Sequence, residues 1–301
     1  MPEGSDVSEA VFLHYTQAEL DRAYDQRAWA ANAAEVIASY TTISKAVKAR
    51  YRFTTEHYGP GDDETLDIYP PAANGKAAAG NAGAPVHVFV HGGAWQRLTK
   101  DESAFPAPAF VENGAIFIAL NFSVMPKVRL PEMADQCRRA IVWIWRNAWR
   151  FGGDPNRIHL SGHSSGGHLA GVVLTTDWKA FGLEASPLRS GLVASGMYDL
   201  GPVLLSARSS YVKLDKAEED ALSPMRHLDR VACPIAVAYG DGETPEFKRH
   251  ARDFAAALKA KVRHASLLVE GKNQNHFELA LTLGHADGLL GKIALGQMFG
   301  R

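Results

Sequence analysis

Cysteine is scarce in this chain, basic charge is not in excess, and no apolar stretch is long; each shortage removes a class of answer. Two cysteines, Cys137 and Cys233, are too few for a disulfide framework. One falls on the apolar stripe of an expected helix and the other just before an expected strand, which reads as two buried free thiols. The 32 Lys and Arg against 33 Asp and Glu leave a formal net charge of -1, without the basic run that nucleic acid or an anionic membrane would select. No apolar run reaches the length of a bilayer span. Met1 to Ala10 is polar and acidic, unlike a signal peptide, so a cytoplasmic location is expected.

What is present is the composition of a globular protein: 301 residues, 46% hydrophobic and 22% charged, enough to bury a sizeable core. Residues 86–90, 115–120, 192–194, 234–239 and 266–269 are short apolar or β-prone runs, expected to be strands. Between them, Met133, Cys137, Ala140, Ile141 and Ile144 recur at helical spacing and give one apolar face. Strands alternating with helices predict a mainly parallel sheet covered on both faces, a single-domain α/β architecture over 1–301. Residues 50–56 and 65–69 alternate apolar and polar and are expected as half-exposed antiparallel edge strands. The Ala/Gly/Asn-rich stretch 72–84 reads as a mobile surface loop. Residues 8–49 read as helical and 277–299 as the last helix. Residues 8–49 and about 196–230, a long insertion between two strands, are the candidate cap elements.

The stretch around which the chain is organised is Gly162-His163-Ser164-Ser165-Gly166. It lies between Ile158 and Leu160, which suit the end of a buried strand, and 168–174, which can open a helix. A serine at such a bend projects its hydroxyl from the carboxyl edge of the sheet. The glycines on either side remove Cβ atoms where strand and helix approach most closely. The next amide, that of Ser165, lies near a helix N-terminus, where a developing negative charge is favoured. Gly92 and Gly93, directly after the run at 86–90, turn further backbone amides toward a cavity and complete an oxyanion hole.

A serine hydroxyl needs a base to remove its proton and a carboxylate to orient that base. His276 is the only histidine in the loop after the last strand, and is the expected base. Asp241, Glu243 and Glu246 share the loop after the strand at 234–239; Glu243 is taken as the acid, with Asp241 the alternative. His91, His163 and His168 match no metal-binding spacing, so neither metal nor organic cofactor is expected.

With these residues assembled, the chain resembles the arylformamidase (kynurenine formamidase) branch of the α/β-hydrolase superfamily, near the hormone-sensitive-lipase-like esterases. The likeness rests on His91-Gly92-Gly93-Ala94-Trp95, Phe151-Gly152-Gly153-Asp154-Pro155, the serine turn through Leu169, Ser195-Gly196-Met197-Tyr198-Asp199-Leu200 and Thr244-Pro245-Glu246-Phe247. It runs from about Tyr24 to His276. The resemblance implies an α/β-hydrolase fold with an eight-stranded sheet and a small cap. It also puts the triad acid at Glu243, where relatives carry aspartate. A second departure is Asn121-Phe122-Ser123, where relatives often carry Tyr-Arg, and it implies an altered pocket wall.

The expected chemistry is hydrolysis of an aryl formamide-like amide through an acyl-enzyme, with a carboxylesterase as the alternative. A non-catalytic small-molecule receptor on the same fold is the reading from another class. Trp95, Phe122, Trp178 and Tyr198 are candidates for an aromatic substrate wall. The expected partner is a small-molecule amide or ester, with no nucleic acid and no membrane; a homodimer is allowed.

Overall fold

The structure is a computed structural model that describes residues 9–72 and 83–300. One eight-stranded sheet runs through it. In chain order the strands are β1 (Thr54–His57), β2 (Thr65–Tyr69), β3 (Ala84–Val90), β4 (Ile116–Leu120), β5 (Gly153–His163), β6 (Leu188–Ala194), β7 (Ile235–Gly240) and β8 (Ser266–Gly271), and side by side they run β1-β2-β4-β3-β5-β6-β7-β8. The β1–β2 and β2–β4 pairs are antiparallel, and every later pair is parallel. This is the mainly parallel α/β-hydrolase sheet expected from the sequence.

The helices are α1 (Gln17–Ala23), α2 (Ala33–Arg50), α3 (Ala107–Val111), α4 (Leu130–Asn147), α5 (Ser165–Leu174), α6 (Gly201–Leu205), α7 (Lys216–Ala221), α8 (Pro245–Lys261), α9 (His276–Leu281) and α10 (Leu289–Phe299). Alternation along the strands divides the apolar residues into two cores. Val86, Val88, Ile116 and Ile118 pack with α4, α5 and α8 on one face, while Phe89, Phe117 and Ala119 pack with α3 and α10 on the other. Strands buried on both faces explain why their sequences are apolar runs rather than alternations. Among the described residues, no helix is long and apolar enough to cross a membrane.

Three local expectations are corrected, and a fourth falls mostly outside the described residues. The N-terminal stretch is not one helix: α1 begins at a Thr16–Glu19 capping box, a 3₁₀ turn capped by the Asp25 side chain covers Gln26–Ala28, and α2 follows. The C-terminal stretch is likewise two helices. Gly288 lies so close to Thr282 that a Cβ there would come within 2.3 Å of the Thr282 carbonyl oxygen, so the chain turns sharply before α10. β2 is buried throughout rather than half-exposed. Its one charged residue, Asp67, meets both Lys48 and Lys100 at 3.0 Å, which offsets a desolvation cost of several kcal/mol for an unpaired carboxylate. Most of the loop expected at 72–84 lies outside the described residues; Ala84 already belongs to β3.

The turn between β5 and α5 is made possible by bare backbone. A Cβ on Gly166 would sit 2.2 Å from the carbonyl oxygens of both Val90 and His91 at the end of β3, and one on Gly162 would sit 2.1 Å from the Gly166 carbonyl oxygen. Neither neighbour is a flexible side chain that could swing aside.

Two predictions follow from this packing. Gly166→Ala should cost about 3 kcal/mol of stability, at the upper end for an overpacked site; an unchanged urea midpoint would show that the turn yields. Burial also holds six histidines below the ordinary imidazole range: His91, His159 and His168 at about 4, and His87, His163 and His250 well down. The folded state therefore binds fewer protons than the unfolded chain, whose imidazoles titrate at about 6.5. Stability should be full above about pH 6.5 and fall as the pH drops toward 4, by up to about 1.4 kcal/mol per group and pH unit. Urea denaturation at stepped pH should show that slope, and a flat profile would contradict it.

Candidate active site

Seven non-glycine residues have positive φ among the described residues, and six of them, Ala94, Trp95, Leu98, Ser164, Ser195 and Asn273, stand in loops at the carboxyl ends of β3, β5, β6 and β8. Such conformations cost of order 1–3 kcal/mol each and persist where the surroundings enforce them. The strain therefore marks one edge of the sheet.

Ser164 sits at that edge with φ 58° and ψ −126°, directly before α5. Its amide donates to the Ala194 carbonyl at 2.9 Å, which pins the bend to β6. The Ser164 hydroxyl lies 2.8 Å from His276 Nε2, and His276 Nδ1 lies 3.0 Å from Glu243 Oε2. All three are nearly enclosed, at 8%, 3% and 1% exposure, so bulk water does not compete for these bonds. The sheet order supplies the convergence, because β5, β6, β7 and β8 run parallel as neighbours and end on the same edge.

Asp241 is held elsewhere: its carboxylate accepts from the Gln274 amide at 3.2 Å. Glu246 is ion-paired with Arg249 at 2.7 Å and receives the Tyr24 hydroxyl at 3.2 Å. Glu246 stands in the first turn of α8 rather than in the loop, and of the three acidic residues only Glu243 reaches the histidine.

The Gly92–Gly93 segment lies against the serine turn. A Cβ on Gly92 would come within 3.1 Å of Ser164 Cβ, and Gly93 has φ 108°. The Trp95 amide donates to Ser165 Oγ at 3.1 Å, tying this loop to the start of α5. Among the described residues, the amides of Gly92, Gly93 and Ser165 have no protein acceptor, and the three donors stand free beside the serine.

Beside them opens a cavity of about 620 Å³, lined by Ser164, His276, Gly92 and Gly93 and roofed from two distant parts of the chain, residues 21–28 and 207–211. Its aromatic wall is Tyr24, Tyr40, Phe89, Phe105, Tyr211 and Phe277. The four aromatics expected there are not part of it. Trp95 turns inward to hydrogen-bond His168 at 3.3 Å, Phe122 stacks on His91 with centroids 4.2 Å apart, Trp178 packs against Phe181, and Tyr198 stacks on Phe254 at 4.2 Å. Each is at most 3% exposed. Asn121 and Ser123 are also outside the lining; they hydrogen-bond Asp63, Lys100 and Gln136.

Residues without an expected role steady the site. The Ser195 hydroxyl donates to Glu243 Oε1, and the Gly240 amide donates to the same oxygen at 2.7 Å. Gln26 reaches Glu243 Oε2 at 3.3 Å. Asn32 donates to Glu278 at 2.7 Å and accepts from Asn275 at 2.7 Å, bracing the turn that carries His276. His163, kept neutral by burial and by the adjacent His276 ring, donates from Nε2 to the His276 carbonyl at 2.8 Å. A serine after an apolar strand and a glutamine in a helical stretch carry no spacing signal; the folded contacts reveal them.

Comparison with known proteins gives the family. The BD-FAE family model matches residues 66–186. Kynurenine formamidase of Danio rerio is 32% identical over 300 residues, spanning 94% of this chain and 96% of its own length. Esterase LipQ of Mycobacterium tuberculosis is 32% identical over 75% of this chain and 57% of its own. A crystal structure from a Silicibacter species superposes with a TM-score of 0.77 at 25% identity, covering 92% of this chain and 99% of that one. The chain is a hydrolase built on the α/β-hydrolase fold, and it belongs to the kynurenine formamidase family.

Proposed function

We propose that this protein hydrolyses a small aryl amide of the formamide type through a serine acyl-enzyme. The observation that carries the reading is the continuous line from Ser164 Oγ through the His276 ring to Glu243, at 2.8 and 3.0 Å. His276 takes the Ser164 proton as the hydroxyl oxygen attacks the carbonyl carbon. Glu243 keeps Nδ1 protonated, so that Nε2 is the basic nitrogen, and stabilises the imidazolium that forms. The amides of Gly92, Gly93 and Ser165 receive the oxyanion, each worth about 3 kcal/mol of barrier. The imidazolium then protonates the leaving amine, and the same nitrogen activates the water that releases the acyl group. Residues 8–49 and about 196–230 act as the cap, since their residues 21–28 and 207–211 close the cavity.

The alternative is a carboxylesterase, favoured by the LipQ relative and by the lower intrinsic barrier of esters. The same catalytic groups serve both reactions.

The cavity lining mixes Asp21, Asp25 and Glu102 with Arg22, Arg27, Arg97 and Arg208, and Arg208 is the place in it for an anionic substituent. The Arg208 guanidinium in its wall donates to the Tyr24 carbonyl at 2.7 Å and the Tyr211 hydroxyl at 2.9 Å, and lies over the Trp95 and Phe247 rings at 5.8 and 6.0 Å. Among the described residues no carboxylate pairs with it. A substrate with an anionic substituent would supply the missing partner in a partly desolvated setting.

Ser164→Ala should lower kcat for an N-formyl aryl amide and for an aryl ester by about 10⁵–10⁶; retained turnover sinks the serine mechanism, and wild-type activity on esters alone demotes the amidase reading. Arg208→Met should reduce the preference, in kcat/KM, for a carboxylated over an uncharged aryl formamide by at least about tenfold, the worth of a charge-assisted bond. An unchanged ratio removes the anionic subsite.

A further inference from the structure

We infer that Ser195 and Gln26 are positioning residues for the carboxylate of Glu243, the device by which this site works with a glutamate as its acid; the inference rests on the triad reading above.

A glutamate has one more rotatable bond than an aspartate, so its carboxylate has more orientations to lose before the imidazole is held. Here both oxygens are assigned. Oε1 accepts from the Ser195 hydroxyl and, at 2.7 Å, from the Gly240 amide. With Oε1 filled, Oε2 is the oxygen presented to His276 Nδ1 at 3.0 Å. Gln26 Nε2 closes on Oε2 at 3.3 Å from the cavity side.

The orientation of the Gln26 amide is set by its other bond. Its Oε1 accepts from the Thr244 amide at 3.3 Å, so the NH₂ end must face the carboxylate. Gln26 is itself 5% exposed and sits in the capped 3₁₀ turn between α1 and α2. Three remote pieces of chain thus meet on one carboxylate: the end of β6, the loop after β7, and the N-terminal segment.

Ser195 shows that this arrangement is enforced. It is fully buried, has φ 54°, and its amide is anchored to the Ala238 carbonyl at 2.8 Å. Glycine would relieve that backbone conformation, yet a hydroxyl-bearing residue stands there. Its one side-chain hydrogen bond is the one to Glu243.

The experiment uses the full chain with Ser195→Ala, Ser195→Gly and Gln26→Met, each alone and combined with Glu243→Gln. Turnover of an aryl ester is measured beside the downfield proton resonance of His276 Nδ1–H. In the wild-type background both Ser195 variants should lower kcat about ten- to hundredfold, and Gln26→Met about three- to tenfold, with KM within about twofold. The downfield resonance should move in each. Ser195→Gly, which removes the strain together with the hydroxyl, keeps the test valid if the alanine variant folds poorly. In the Glu243→Gln background, where no ionised carboxylate remains to be held, the same substitutions should cost less than about twofold. Equal losses in both backgrounds, or wild-type kcat in the Ser195 variants, overturn the inference. Wild-type kcat in Glu243→Gln alone would instead overturn the assignment of Glu243 as the acid, a separate failure.

Discussion

The carboxyl edge of the sheet depends on how closely one turn approaches the strand beside it. Gly166 touches the carbonyls of Val90, the last residue of β3, and of His91 just after it, and Gly162 touches Gly166, so a single methyl group at either position would push α5 away from the sheet. That contact fixes where Ser164 stands, and it fixes the Ser165 amide relative to Gly92 and Gly93 on the neighbouring loop. The amides are held by main chain, which has no rotamers to explore, and the Ser164 hydroxyl is held by its contact with His276. Such a site does not have to reorganise when charge develops.

Much of this was legible in the sequence, for identifiable reasons. Glycines flanking a serine between an apolar run and a helical stretch specify the turn through sterics alone. His276 is expected from order, because a parallel sheet returns each strand to the same edge and leaves few loops that can reach the serine, and its ring stands 2.8 Å from the Ser164 hydroxyl. Glu243 was separable from Asp241 by resemblance, and the folded contacts give the physical reason: Asp241 is turned toward the Gln274 amide. The aromatic wall was misjudged because a large ring near a motif looks the same whether it faces a cavity or the core. Trp95 has φ 61°, and that backbone conformation sends its ring inward toward His168.

The helical reading of the N-terminal stretch was correct in kind and wrong in continuity, and the discontinuity matters. Between α1 and α2 the chain breaks into a 3₁₀ turn, which brings Gln26 to the acid and lets Asn32 and Tyr40 brace the histidine turn, the latter through a 2.6 Å bond to the Phe277 carbonyl. Periodicity reports which face of a helix is apolar. It does not report a polar side chain that satisfies a buried carboxylate more than 200 positions away. The buried polar pairs inside the sheet, His87 with Ser161 and His159 with Ser190, both at 2.7 Å, are invisible to the same analysis.

Gln26 belongs to two structures at once: it lines the cavity and it touches the acid. Variation in this turn that reshapes the roof for a different molecule also disturbs Glu243, the carboxylate that meets His276 Nδ1. In a lineage diversifying its diet of substrates, residues 207–211 are therefore the freer place to experiment, while the opposite wall is constrained by the reaction it covers.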